Sequence, residues 1–170
     1  PWRREPTAYR VWISEVMLQQ TRVEAVKPYY RRFLDALPDL PALAAAGEDT
    51  LLKLWEGLGY YSRARNLQKA ARQAVERYGG ELPASYPLLL ELAGFGEYTA
   101  GAVASIAFGI RVPAVDGNVI RVVSRLLAAE GDSAGPAFRK ALRELLLETM
   151  PETAPGEFNQ AVMELGATLC

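Results

Sequence analysis

No histidine occurs in the 170 residues of this chain. That absence removes serine–histidine and cysteine–histidine nucleophiles and every histidine-ligated zinc site. A single cysteine, Cys170, allows no internal disulfide and fits a reducing, intracellular compartment. No apolar run approaches the ~18–20 residues needed to cross a bilayer. No charged-then-apolar leader opens the chain either, so no membrane partner is expected. The abrupt start at "PWRRE" and the stop on a cysteine read as cut ends. The formal charge of −1 gives no global basic surplus of the kind that marks many nucleic-acid binders. Local distribution differs, because "YYRR" and "YYSRARNLQK" are both basic and aromatic. With imidazole and thiol pairs excluded, catalysis has to rest on carboxylates, tyrosine, lysine or a group this chain does not itself carry.

Strand-like alternation is equally scarce, with "IRVPAV" the one short candidate. Elsewhere the apolar periodicity is helical and predicts helices near 7–20, 22–37, 49–56, 62–78, 85–92, 97–109, 117–129, 137–150 and 156–168. Pro38, Pro41, Gly79-Gly80, Pro83, Pro113 and Pro151 punctuate them. The fold class is therefore all-α. Within the first helix, Ala8, Val11, Trp12, Glu15 and Leu18 fall on one stripe, and only Glu15 is not apolar. A carboxyl in such a stripe is partly desolvated, which favours its neutral form and raises its pKa.

Three further stretches are suited to chemistry. "LAGFGEYTAGA" places a tight Gly94-Phe95-Gly96 turn before an alanine-rich helix, whose free N–H groups and positive dipole end suit a phosphate. By itself the turn reads more readily as a plain αα-hairpin. Asp116, in "PAVDGNVIRVV", precedes a clean apolar helix. N-capping is the commonest role for such an aspartate, and a helix N-terminus favours a carboxylate anion. "WEGLGYYSRARNLQKAA" joins a Gly-rich turn carrying Tyr60 and Tyr61 to Arg63, Arg65 and Lys69. That composition suits base stacking and phosphate contact, or a solvated helix face.

In this order and spacing, "PWR", "VWISEVMLQQT", "WEGLGYYSRARNL", "LAGFGEYTAGA", "VDGNVIRV" and "FNQAVMELGATLC" resemble the adenine DNA glycosylases of the MutY type. These belong to the helix–hairpin–helix superfamily that also holds endonuclease III. The resemblance spans nearly the whole chain but only the family's catalytic core. It implies excision of adenine mispaired with 8-oxoguanine or guanine in double-stranded DNA by a monomer, in the cytoplasm or nucleoid if bacterial.

It also implies roles for particular residues. Glu15 matches the general acid, Asp116 the second carboxylate that stabilises the cationic sugar, and Asn118 the asparagine that holds the site. Tyr98 stands where related lyases carry a Schiff-base lysine. Trp2, Arg3, Leu18 and Gln160 match residues around the extruded adenine. Gln20 and Tyr60 match residues wedged into the base stack, with Thr21 and Leu58 beside the damaged base. Gly94 and Gly96 match the phosphate grip. Cys170 matches the first of four thiolates holding a [4Fe–4S] cluster, the other three being expected beyond this chain. The hairpin departs from the family in Ala93 and Phe95, which replace a proline and a small aliphatic. A modest change in loop stiffness is expected, with the phosphate grip kept.

The expected architecture is a helical bundle over 7–112, with the hairpin near 86–108, and a second helical lobe from 1–6 plus 113–170, a cleft lying between them. Two other readings compete. An endonuclease III-like glycosylase/lyase for oxidised pyrimidines is disfavoured by the lack of lysine across 92–109. A non-catalytic helix–hairpin–helix DNA-binding module needs neither Glu15 nor Asp116.

Overall fold

The computed structural model describes residues 2–3, 6–129 and 135–170. Pro1, Arg4 and Glu5, part of the segment assigned to the second lobe, lie outside them. The described residues form ten helices and no strand. No described helix is long and apolar enough to cross a membrane.

Helix α1 (Ala8–Leu18) begins at Thr7, whose side-chain oxygen accepts a hydrogen bond from the Arg10 amide at 3.3 Å. The sequence stripe predicts one buried face. Instead, every side chain from position 11 to 17 is buried, so α1 runs through the middle of the fold. Helix α2 (Val23–Ala36) packs on it, α4 (Glu48–Trp55) packs on α2, and α5 (Ser62–Tyr78) packs on α4. Helix α5 matches its predicted bounds because Gly79 closes it in the left-handed region, at φ 68°.

Helix α3 (Leu40–Ala45), packed against α5, was not expected, since Pro38 and Pro41 read as breaks. Asp39 explains it: its carboxylate caps the Ala42 amide at 2.8 Å, and a proline in the first turn has no amide to leave unpaired.

Helices α6 (Tyr86–Leu90) and α7 (Glu97–Phe108) make the hairpin, and α7 packs against α1. Phe95, in the turn between them, is buried and stacks on Trp12 of α1 at 5.2 Å. Helices α8 (Gly117–Leu126), α9 (Pro136–Thr149) and α10 (Pro155–Thr168) complete the chain, α10 packing on both α7 and α8.

Apolar side chains gather in two clusters. The larger runs from Tyr9 to Val112 and includes Trp12, Phe33, Trp55 and Phe95. The smaller is built on Val119, Val123, Leu142 and Leu146, with Phe158, Val162 and Met163 packed against it. Arg143 of α9 links this second group to the hairpin through the Tyr86 hydroxyl at 2.7 Å and the Glu97 carboxylate at 2.5 Å.

Residues 109–116, including the strand-like "IRVPAV", pair with no strand among the described residues. Their backbone polar groups still need partners, and buried Asn159 of α10 supplies them. Its carbonyl oxygen accepts from the Ala114 amide at 3.1 Å, while its NH2 donates to the Val112 carbonyl at 3.0 Å and the Ser105 hydroxyl at 2.8 Å. Close backbone approach fixes α10 further. A Cβ on Gly156 would lie 2.6 Å from Ile106 Cα, and one on Gly166 would lie 2.6 Å from the Asn118 carbonyl oxygen.

Gly166→Ala should therefore destabilise by about 1–3 kcal/mol through overpacking against backbone that cannot yield, despite the gain in helix propensity. Gly117→Ala, at the start of α8 with no atom within 4 Å of its Cβ position, should be neutral or stabilising. Thermal melts of the two variants check this, and equal behaviour would discount the close approach.

Candidate active site

Glu15 sits near the middle of α1, which delivers its carboxyl to the place where α1, α7 and α10 converge. Only 9% of the residue is exposed. Burial, reinforced by the negative charge of Asp116, holds its carboxyl above the ordinary range near 4.5, against the opposing influence of the Tyr98 hydroxyl and Arg3. Tyr98, in the first turn of α7, donates its hydroxyl hydrogen to Glu15 Oε2. The Met163 sulfur lies 3.4 Å from the same hydroxyl. Burial, with the Glu15 charge adding to it, pushes the Tyr98 phenol far up, so it is an O–H donor throughout the working pH range.

Asp116 is the N-cap of α8. One carboxylate oxygen accepts from the Val119 amide and the other from the Asn118 side-chain NH2, both at 2.8 Å. Asn118 is oriented in turn by Arg121, which donates to its oxygen at 2.5 Å and to the Gly166 carbonyl at 2.8 Å. The capping role and a place beside Glu15 are thus both occupied by one residue: the charge of Asp116 is felt by Glu15 and Tyr98 alike.

A cavity of about 620 Å³ opens over Glu15, well within the range of small-molecule pockets. Trp2, Arg3 and Gln160 line it together with Ser14, Glu157 and Glu164. Arg3 is paired with Glu164 at 2.5 Å, and Trp2 stands edge-on to Tyr30 at 5.5 Å, so two N-terminal side chains roof the site from opposite anchors. Gln160 donates to the Gly156 carbonyl at 3.2 Å. Leu18, grouped with these three from sequence, is not among the lining residues; it packs against the larger apolar cluster at the end of α1.

The remaining sequence candidates lie on loops. Gln20 is exposed and Thr21, half-buried, follows it, with the Thr21 hydroxyl 3.3 Å from the Gln19 carbonyl. Tyr60 is 66% exposed, whereas Leu58 beside it is buried. Gly94 has φ 75° and lies against Asn66 of α5, a Cβ there coming within 2.8 Å of the Asn66 Cβ, and Gly96 caps α7. The basic cluster after Tyr61 divides. Arg63 turns inward to carbonyls of α1 and of the 57–60 loop, Arg65 pairs with Glu48 at 2.8 Å, and Lys69 stays exposed.

Asn159 was not singled out from sequence, and Arg63 was grouped there only with cations suited to phosphate contact. Both work on backbone groups whose positions no residue pattern reveals. Cys170 is exposed, and no group of three or more metal-ligating side chains occurs among the described residues. One thiol cannot hold a cluster by itself, so the residues present do not make up the iron–sulfur site.

Residues 13–148 match the family described as HhH-GPD superfamily base excision DNA repair protein. Curated relatives include the adenine DNA glycosylase of Rattus norvegicus, 47% identical over 179 residues, the alignment covering 100% of this chain and 35% of the relative. That of Buchnera aphidicola (subspecies Acyrthosiphon pisum) is 38% identical over 170 residues, covering 100% and 49% respectively. The chain thus spans between a third and a half of the length of these relatives. Among solved structures, a thermostable thymine-DNA glycosylase superposes with a TM-score of 0.89 at 30% identity, over 99% of this chain and 77% of its own. An endonuclease III in a non-covalent DNA complex gives 0.83 at 24% identity, over 96% and 75%, a likeness of fold. With a match from α1 to α9 laid on an all-α, helix–hairpin–helix glycosylase fold, this chain belongs to the HhH-GPD superfamily of base excision DNA repair proteins.

Proposed function

We propose that this chain is the catalytic core of a DNA glycosylase that hydrolyses the N-glycosidic bond of adenine mispaired with 8-oxoguanine or guanine. The observation that carries the reading is Glu15: a buried carboxyl with a raised pKa, opening onto a cavity large enough to admit a base, with a second carboxylate close enough to act on it. The identity to adenine DNA glycosylases along the whole chain supports the choice of base. The division into a bundle over 7–112 and a second lobe from 113 onward is supported by the two apolar clusters; of the segment 1–6 assigned to the second lobe, Arg3 pairs with Glu164 of α10 but Trp2 packs against the larger cluster.

The extruded base enters the cavity past Trp2, Arg3 and Gln160, while Gln20 and Tyr60 fill the gap left in the duplex. Leu58 and Thr21 lie beside that gap, and Gly94 and Gly96 with the first amides of α7 hold the DNA backbone. Adenine leaves poorly as an anion, so it is protonated as the bond breaks. Glu15 supplies that proton from its free oxygen, the other being held by Tyr98. Asp116, fixed by Val119 and Asn118, faces the developing positive charge on the sugar. Glu15, now a carboxylate, takes a proton from the water that attacks the sugar carbon. Tyr98 offers no amine for attack on that carbon, so the enzyme is a glycosylase without efficient lyase activity. Where the longer protein carries a [4Fe–4S] cluster, Cys170 supplies one thiolate, and no step above passes through it.

Glu15→Gln keeps volume and hydrogen-bonding shape but deletes the proton. General acid catalysis typically contributes ~10²–10⁴-fold. Single-turnover excision should fall by at least that much, with mismatch affinity kept. Excision within a few-fold of the parent would sink the mechanism. The same variant has a signed effect on stability. Because the folded carboxyl titrates above 4.5, the parent loses stability as pH rises from that value through its raised pKa. Glu15→Gln should therefore melt higher than the parent at pH 8 and about equally at pH 4.

Tyr98→Phe removes the hydrogen bond that lowers the Glu15 pKa. The pH at which single-turnover excision declines on the alkaline side should move upward, and a downward move would reverse the assigned roles. Borohydride should trap little covalent enzyme–DNA adduct with the parent chain. Abundant trapping would favour the lyase reading instead.

A further inference from the structure

Gln20 and Tyr60 share an uncommon backbone state. Both lie in the left-handed region, at φ 58° and 46°, although neither is glycine. They sit on different loops, one after α1 and one before α5. The carbonyl immediately preceding each is held by the same guanidinium: Arg63 Nη1 donates to the Gln19 carbonyl at 2.7 Å, and Nη2 to the Gly59 carbonyl at 3.3 Å. The same two nitrogens reach the Val16 carbonyl at 2.8 Å and the Leu58 carbonyl at 2.9 Å.

A peptide plane is rigid, so fixing its carbonyl restricts φ of the residue that follows. One planar fork therefore constrains both left-handed residues at once. Trp55 adds to the hold, its indole N–H donating to the Gly59 carbonyl at 3.0 Å and its ring lying 5.4 Å from the guanidinium carbon. Both Nη atoms are committed to protein carbonyls, which removes Arg63 from the candidate phosphate ligands. Tyr60, meanwhile, is largely exposed on a loop pinned from beneath. A rigid mount under an exposed aromatic fits a part that has to push against something.

We propose that Arg63 is a positioning residue for base extrusion: it couples the loop of Gln20 to the loop of Tyr60 so that both side chains meet the base stack as one preorganised unit. The proposal rests on the wedge reading of Gln20 and Tyr60. Lysine cannot replace this arginine, because a single ammonium on a flexible stem has no fork with which to span two loops.

The test uses the full-length protein containing this chain, below the melting temperature of every variant. Extrusion is followed by the fluorescence of 2-aminopurine placed next to the target adenine, and chemistry by single-turnover excision. Arg63→Lys should slow extrusion by about tenfold or more, and the pH at which excision declines should stay put because Glu15 is untouched. Gln20→Ala/Tyr60→Ala should be similarly slow, and adding Arg63→Lys to that pair should cost little more, since all three act as one unit.

Parental extrusion by Gln20→Ala/Tyr60→Ala would overturn the wedge reading itself. A slow pair beside a parental Arg63→Lys, or a defect that multiplies in full, would overturn the coupling alone. If Arg63→Lys does not fold at the assay temperature, Trp55→Phe removes one of the two holds on the Gly59 carbonyl while leaving Arg63 in place. Slower extrusion there supports the coupling, and a parental rate overturns it.

Discussion

A carboxyl taken out of water resists ionisation, and Glu15 lies on a helix whose middle is buried on every side. That placement is costly for the fold and decides much of its local chemistry. An unpaired buried acid would destabilise the core whenever it ionised. The Tyr98 hydroxyl limits that cost by donating to one oxygen, and Arg3 moderates it from the cavity wall. Tyr98 can serve because its phenol, ordinarily protonated at neutral pH, is held so more firmly still by burial. The pair therefore tunes itself in both directions: Glu15 makes Tyr98 a firmer donor, and Tyr98 keeps Glu15 from becoming a permanently neutral acid.

Bringing a second carboxylate near this pair is a problem of backbone packing rather than of charge. Asp116 comes from the far end of an extended segment that makes no ladder hydrogen bonds. Asn159 substitutes for the missing strand, satisfying Val112 and Ala114 from α10. Glycines at 156 and 166 let α10 approach α7 and the start of α8 at distances that exclude any Cβ. Helix α10 is thus both a wall of the cavity, through Gln160 and Glu164, and the clamp that sets where α8 begins. Rigid support of this kind matters because small errors in the position of reacting groups are expensive in rate.

Helix periodicity made most of the architecture legible, including both ends of α5, where Ser62 follows a glycine-rich turn and Gly79 stops the helix. It failed at α3, where two prolines read as breaks although one simply occupies the first turn. The anomaly at Glu15 was visible as an acid in an apolar stripe. The stripe also put Leu18 on the face of Glu15, whereas it packs against the larger apolar cluster, because one-faced periodicity cannot describe a helix buried all round. Tyr98, far along the chain, entered through family resemblance and not through pattern. The hardest residue to read was Arg63. Among tyrosines and other cations it looks like a phosphate ligand, and only the location of five backbone carbonyls shows that its fork is already occupied.

The hairpin extends the same logic. Its turn is anchored twice: Phe95 stacks on Trp12, close before Glu15 on α1, and Gly94 rests on Asn66, close after Arg63 on α5. A large aromatic at a position where the family favours a small aliphatic ties the turn to the buried helix instead of loosening it. Under the proposed function, the element that grips the DNA backbone, the loops that enter the stack and the acid that breaks the bond are then three outputs of one framework, α1 against α5 and α7. Tyr98, two residues after Gly96 on the hairpin helix, donates directly to Glu15, so hairpin and proton donor are joined both through that hydroxyl and through the Phe95–Trp12 stack. Close-packed groups of this kind deform far less readily than a chain of surface charges would.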